Sequence, residues 1–462
     1  MNALDNEIRA LKYDENELLA RKELGTSSFI PAETREEGNK YIVVKRSEKT
    51  MESENYEIGI VESVIDRTFP GSLLKINKNL TDNNPDILVA ERKPMRFRVD
   101  IPGMGSDAEF TIDNPDNISV ATGIDNVLKK YSGQTLPTRV TFKGTMAYSE
   151  NQLNAAFGLE MKHVGKQLGI NFNAVLEKKS SVYVTSFRQI FYTVASERPK
   201  NPSDVFADSE TWDLLKSKGV DNQNPPGLVN LVGYGRSVYV KMETSEQSNF
   251  VEAAFKASIN ENLEITADAK YKDVLKNSSF TAVILGGGTK NHIEVIKCKT
   301  IEEVKEILVN NSEYGKDNPG YPIFYNTMFL KDNKNAKTVD AVKYIETTSE
   351  VYESGLIKLK HTGAYVAKFK VKWEEITYDA SGKKIITTKC WEKNDKDLTA
   401  GFSTEIPLKG NCQNISIKAE GCTGLAWEWW RTSFDRKGIS LSPTISLHIS
   451  GTTLNQKYDF KA

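Results

Sequence analysis

Three tryptophans crowd into four positions of the segment Gly421-Cys422-Thr423-Gly424-Leu425-Ala426-Trp427-Glu428-Trp429-Trp430-Arg431. An indole joins a large apolar body to a single N–H donor, so such a cluster suits the boundary between hydrocarbon and water. The chemistry on offer is therefore non-covalent adsorption to a membrane surface. The spacing also allows two of the rings to fill the core of a β-domain, or to stack on sugars as in a lectin. No catalytic constellation competes with these readings. His163, His292, His361 and His448 have neither metal-ligand spacing nor a nucleophile partner. The run Gly286-Gly287-Gly288 lacks the Lys-Ser/Thr of a phosphate loop. No metal or cofactor is expected, and the chain is not expected to be an enzyme. The cysteines at 298, 390, 412 and 422 are too sparse to staple the chain. Cys298, Cys390 and Cys412 read as small buried hydrophobes, and a Cys412–Cys422 disulfide stays open.

The elements that hold this segment belong to a chain of 462 residues, enough for two to four domains with large cores. With 61 Lys+Arg against 62 Asp+Glu, no overall charge argues for nucleic acid or anionic lipid. Membrane affinity must come from local features. No stretch approaches the roughly 20 apolar residues of a spanning helix. Met1-Asn2-Ala3-Leu4-Asp5-Asn6-Glu7 lacks the basic and apolar regions of a secretory signal, so either the signal has been removed or release needs none.

Alternating runs at Tyr41-Ile42-Val43-Val44, Arg236 to Met242 and Phe280 to Leu285 predict strands, and the spacing of Ile301, Val304, Ile307 and Leu308 predicts a helix over Thr300 to Asn310. From about Glu353 the pattern becomes mostly β: Gly355 to Leu359, Ala364 to Trp373, Lys384 to Trp391, Asn414 to Ala419 and Thr444 to Ile449 read as short strands of a sandwich. Two earlier segments carry a double pattern. Leu153, Ala155, Phe157, Leu159 and Met161 alternate with mostly polar residues, as do Val251, Ala253, Phe255, Ala257 and Ile259 and, after a turn at Asn260-Glu261-Asn262, Leu263, Ile265 and Ala267. Extended, each has one greasy face. Both are also rich in Ala, Leu, Lys and Glu, so ordinary amphipathic helices docked on a sheet are the alternative.

The tryptophan-rich segment resembles the undecapeptide of the cholesterol-dependent cytolysins, Glu-Cys-Thr-Gly-Leu-Ala-Trp-Glu-Trp-Trp-Arg, departing only at Gly421. Lys200-Asn201-Pro202-Ser203-Asp204, Tyr234 to Lys241, His361-Thr362-Gly363-Ala364-Tyr365-Val366-Ala367 and Gly451-Thr452-Thr453-Leu454 are similar to that family in the same order, so the resemblance spans nearly the whole chain. It implies an α+β, multidomain, elongated fold: a twisted antiparallel core sheet flanked by helical bundles, of the membrane-attack-complex/cytolysin type, plus a C-terminal β-sandwich. The implied partition is a discontinuous first domain (1–15, 52–139, 190–236, 313–336) and an elongated β linker (16–51, 337–353), then a pore-forming domain (140–189, 237–312) and a membrane-binding sandwich (354–462).

The implied activity is that of a secreted toxin: a monomer binds cholesterol in a host membrane, oligomerises into a ring, and converts segments 149–173 and 247–276 from helices to hairpins of a large β-barrel. A spanning strand needs about 9 to 11 residues, so both segments are long enough. Unpaired strand edges in hydrocarbon cost several kcal/mol per group, so insertion must be collective. The family places cholesterol contact at Thr453-Leu454, neighbouring tip loops at Ala364 and Ala400, a hinge at Gly286-Gly287, inter-subunit stacking at Phe142 and Phe280, and a free thiol at Cys422. The alternative is a non-lytic membrane- or glycan-binding adhesin on the same scaffold. Glu420-Gly421 stand where the family has Arg-Glu, and Asn455-Gln456 replace Tyr-Pro; both changes predict looser loops and altered coupling. A Tyr-x-Tyr receptor motif is missing near Gly401-Phe402-Ser403, which favours sterol over a protein receptor.

Overall fold

Valine, threonine, tyrosine, phenylalanine and isoleucine dominate Ser181–Ser196, side chains that suit a pleated sheet covered on both faces. The computed structural model of the chain describes residues 3–23, 32–131, 136, 138–158, 160–245, 250–259, 269–286, 293–315, 318–379 and 383–462. Gly287, Leu159, the turn at Asn260-Glu261-Asn262 and the alternation through Leu263, Ile265 and Ala267 lie outside these residues. The chain forms two compact units, Met1–Ser27 with Glu48–Glu346, and Ser28–Ser47 with Thr347–Ala462.

In the first unit five antiparallel strands form one end of a sheet that has 11 strands among the described residues: β1 (Arg139–Met146), β2 (Ser181–Ser196), β3 (Pro226–Thr244), β4 (Ser278–Leu285) and β5 (Ile293–Cys298). They lie side by side in that order, with Phe142, Phe187, Val238 and Ile284 in one cross-strand row. Both segments with the double pattern are helical. On one face, α1 (Glu150–Phe157), capped by the Ser149 hydroxyl, continues into α2 (Met161–Leu168), which ends at a left-handed Gly169, and then α3 (Phe172–Leu176). Leu153, Phe157, Met161, Val164, Leu168 and Val175 pack there on Val182, Val184, Tyr239 and Val283. On the opposite face α4 (Val251–Ile259), α5 (Ala269–Lys276) and α6 (Ile301–Val309) cover Tyr183, Val240, Met242, Phe280 and Ala282. Each large side chain so buried contributes roughly 1.5–3 kcal/mol, which holds the helical form in water.

The C-terminal chain is a two-sheet sandwich, with strands close to those expected. The first sheet orders β6 (Gly355–His361), β9 (Ser403–Leu408), β12 (Ile445–Gly451) and β13 (Gln456–Lys461) as β9-β6-β12-β13. The second orders β7 (Ala367–Tyr378), β8 (Lys384–Cys390), β10 (Cys412–Leu425) and β11 (Glu428–Ile439) as β8-β7-β10-β11. Inward alternation of Ile357, Leu359, Phe369, Val371, Ile415, Ile417, Leu447 and Ile449 builds the core between them.

Candidate functional site

Strand register brings four separated loops to one end of the sandwich. The loop after β6 carries Ala364, whose N–H donates to Gly451 O at 2.8 Å; Thr362 N donates to Ile449 O at 2.9 Å. The loop before β9 carries Ala400 and is tied by Gly401 N to His361 O at 2.8 Å. Cys422 N donates to Val366 O at 2.8 Å, which joins the β10–β11 hairpin to the same end. Thr453 and Leu454 are the central residues of the turn between β12 and β13, closed by Asn455 N on Thr452 O at 3.2 Å.

The tryptophan-rich segment is a β-hairpin whose two-residue turn is Ala426-Trp427, with Leu425 opposite Glu428 and a bulge between Cys422 and Leu425. Gly424 sits in the bulge at φ +76°, a conformation other residues seldom adopt. The Thr423 hydroxyl donates to Glu428 O and accepts from Leu425 N. Arg431 grips Glu428 through Nε–Oε1 at 3.0 Å and Nη2–Oε2 at 2.6 Å, and this partner lowers the Glu428 carboxyl below its ordinary value. None of the rings fills the core: Trp427 is 82% and Trp429 58% exposed, while half-buried Trp430 lies under Lys368 Nζ, 4.5 Å from its centroid. Leu454 is 58% exposed at the same end. A fold that hides Leu447 and Ile449 completely presents these three side chains to solvent together.

The thiols correct one expectation and settle another. Cys412 and Cys422 are both free, so the disulfide left open by the sequence is not formed, and Cys390 is exposed rather than a buried hydrophobe because both faces of edge strand β8 face solvent. Burial pushes the Cys412 thiol up to about 11.

The substituted positions are not loose. Glu420 pairs with Lys418 at 2.6 Å and Lys370 at 3.0 Å, cations that stabilise a carboxylate where the family has arginine. Gln456 donates from Nε2 to Thr453 O at 3.2 Å and accepts from Ser433 Oγ at 2.5 Å. Sequence reasoning also missed His361, which is fully buried. Its Nε2 donates to Tyr365 O at 2.7 Å and its Nδ1 accepts from Gly363 N at 3.3 Å, so the neutral imidazole braces the Ala364 loop. Its sequence signal was its place at the head of the family-like run His361 to Ala367, which gave it no role.

In the first unit, Phe142 is half-exposed on β1 with its ring 5.0 Å from that of Phe187, whereas Phe280 is buried opposite Met242 and Cys298. The two phenylalanines occupy different rows and do not meet within one chain. Gly286 ends β4 at φ +78°, and a Cβ there would lie 3.0 Å from Gly235 O. Just before α2, buried Glu160 accepts at Oε1 from Arg188 Nη2 at 2.6 Å and Tyr239 OH at 2.9 Å, while Arg188 also reaches Glu57 at 2.6 Å. Burial and Glu160 push the Tyr239 hydroxyl well above its ordinary value.

The family description thiol-activated cytolysin matches residues 3–352, and that of the thiol-activated cytolysin β-sandwich domain matches residues 356–457. Tetanolysin of Clostridium tetani is 46% identical over 459 residues, covering 98% of this chain and 87% of that protein. Perfringolysin O of Clostridium perfringens is 43% identical over 457 residues, covering 98% and 91%. The crystal structure of listeriolysin O superposes with a TM-score of 0.93 at 36% identity, covering 99% of this chain and 95% of that one. A non-hemolytic pneumolysin from Streptococcus pneumoniae strain ST306 gives 0.91 at 34%, covering 100% and 98%.

Proposed function

This chain belongs to the thiol-activated cytolysin family, and on that premise we propose that it is a secreted, cholesterol-dependent pore-forming toxin of host cell membranes. The observation that carries the reading is the shared end of the sandwich, where Trp427, Trp429 and Leu454 stand exposed beside Thr453, Ala364 and Ala400. In the proposal the Thr453 hydroxyl bonds the sterol 3-hydroxyl and Leu454 covers its rings. Immersing one such side chain yields roughly 1.5–3 kcal/mol, against about 8 kcal/mol for micromolar affinity. The four loops therefore act together, and a ring of copies multiplies their hold.

Pore formation in this reading uses the helices on both faces of the sheet. The alternation through Leu153, Ala155 and Phe157, and through Val251, Ala253 and Phe255, supplies a lipid-facing side once α1–α2 and α4–α5 extend into hairpins. β5 covers the edge of β4, and Gly286 is the described half of the hinge about which the cover leaves. Phe142 of one copy and Phe280 of the next then set strand register between subunits.

The decisive experiment is dye release from liposomes with and without cholesterol, repeated with Thr453 and Leu454 both changed to glycine. Cholesterol-dependent release that the double variant abolishes supports the toxin; release indifferent to sterol would falsify the receptor assignment. A second reading, a non-lytic adhesin, is favoured by one finding: a pneumolysin described as non-hemolytic keeps this fold at a TM-score of 0.91. Binding without release identifies that case.

A further inference from the structure

Gly421 is buried on β10 between Ala367 and Arg431, and its backbone is ordinary extended chain, so it is not there for conformational freedom. Space is the reason. A Cβ at Gly421 would lie 2.4 Å from Gln456 Nε2 and 2.6 Å from both Cδ and Oε1, because the Gln456 amide occupies the place where a side chain at 421 would begin. From that seat the amide donates to Thr453 O at 3.2 Å and accepts from Ser433 Oγ at 2.5 Å. It thus bridges the turn bearing Thr453-Leu454 and β11, the strand bearing Trp429 and Trp430. Arg431 Nη1 makes a second tie to Leu454 O at 2.9 Å.

We infer that Gln456 is a positioning residue: seated on Gly421, its amide latches the Thr453-Leu454 turn to the tryptophan-rich hairpin, so that the two enter a membrane as one body. The two substitutions that looked like separate losses in the sequence are a matched pair, since the amide needs the empty place and the empty place is filled by the amide. An amide with both polar atoms engaged inside a half-buried contact gives the turn a defined orientation that a free loop lacks. The obstruction is the flexible end of a side chain, so a larger residue at 421 displaces the amide and leaves the sheet in place.

The geometry stands by itself, but its membrane consequence rests on the toxin reading, and the test separates them. Hydrogen exchange on the soluble protein follows the amides of Thr453 to Asn455 in wild type, Gly421→Ala, Gln456→Gly and the double variant, with unfolding midpoints as the control for folding. The latch predicts exchange faster by roughly five- to tenfold in either single variant, with no further change in the double variant. Effects that multiply, or a silent Gly421→Ala, overturn it. On cholesterol liposomes, either single variant is expected to release dye about tenfold more slowly, with a smaller loss of binding. Parallel loss of both overturns the coupling role. A wild type that neither binds nor lyses these liposomes refutes the toxin reading while the exchange result still judges the latch.

Discussion

Arg431 Nη1 lies 2.9 Å from the backbone carbonyl of Leu454, so the last residue of the tryptophan-rich segment holds the turn proposed to meet sterol. The same guanidinium is clamped by Glu428. Arg431→Ala therefore removes one of the two ties on the Leu454 turn and leaves Glu428 without its arginine at the end of the sandwich proposed to face the membrane. Liposome sedimentation and dye release, run in parallel, should show release falling about tenfold more than binding. Equal losses would mean that Arg431 serves attachment alone.

The thiols predict a graded reaction. Cys390 is exposed and Cys422 half-exposed, whereas Cys298 and Cys412 are buried and burial raises both thiols. A maleimide should label Cys390 first, Cys422 more slowly, and the other two only after unfolding, as read by mass spectrometry. In a Cys390→Ser background, labelling of Cys422 should track loss of liposome binding. Retained binding at full labelling would remove Cys422 from the contact surface.

Glu160 is 1% exposed and accepts two hydrogen bonds that pin the start of α2 to the sheet. Removing it leaves Arg188 with Glu57 alone and the Tyr239 hydroxyl without its acceptor. Breaking a buried pair in this way costs about 3–5 kcal/mol. Glu160→Ala should lower the urea midpoint of the first unit accordingly, and in the proposed mechanism it should also speed conversion, because the clamp must open when the helices leave. An unchanged midpoint would show the pair to be energetically neutral.

Burial holds His361 below its ordinary value of 6.5, against the opposing pull of its acceptor Tyr365 O and with half-buried His448 nearby adding to the lowering. The unfolded chain takes up this proton near pH 6.5 while the folded sandwich still excludes it, so the unfolded state binds more protons in that window. Stability should be constant above about pH 7 and fall as pH drops below about 6.5, with earlier loss of exchange protection in the Ala364 loop. Melting curves from about pH 8 to about pH 5 for wild type and His361→Gln test this. An equal slope in the variant would assign the dependence elsewhere.

Much of the fold was legible because β-branched and aromatic residues have few other uses: the strands at Ser278–Leu285 and through the sandwich follow their patterns within a few residues. The state of α4 was not legible. Val251, Ala254, Phe255 and Ser258 form a helical buried face, yet Ala253 and Ala257 let the same letters alternate as a strand. Nor could sequence show that positions 421 and 456 touch, since they stand on different sheets of the sandwich and only the packing of the two sheets brings them together. That is why the substitutions at Gly421 and Gln456 read as loosened loops, and why the structure reads them as contact.

The row of strands that presents Phe142 ends, among the described residues, in β1, which pairs only with β2 and is exposed over its first five residues, and in β5, which pairs only with β4 and covers its edge. Under the proposed assembly this gives growth a polarity. A copy joins through its open end at once but accepts the next only after shedding its cap. A variant that cannot shed it, such as one cross-linked between β4 and β5, would behave as a chain terminator. Mixed with wild type at about one part in ten, it should shorten rings to arcs and suppress release out of proportion to its share. Suppression merely equal to its share would mean that copies add from both sides.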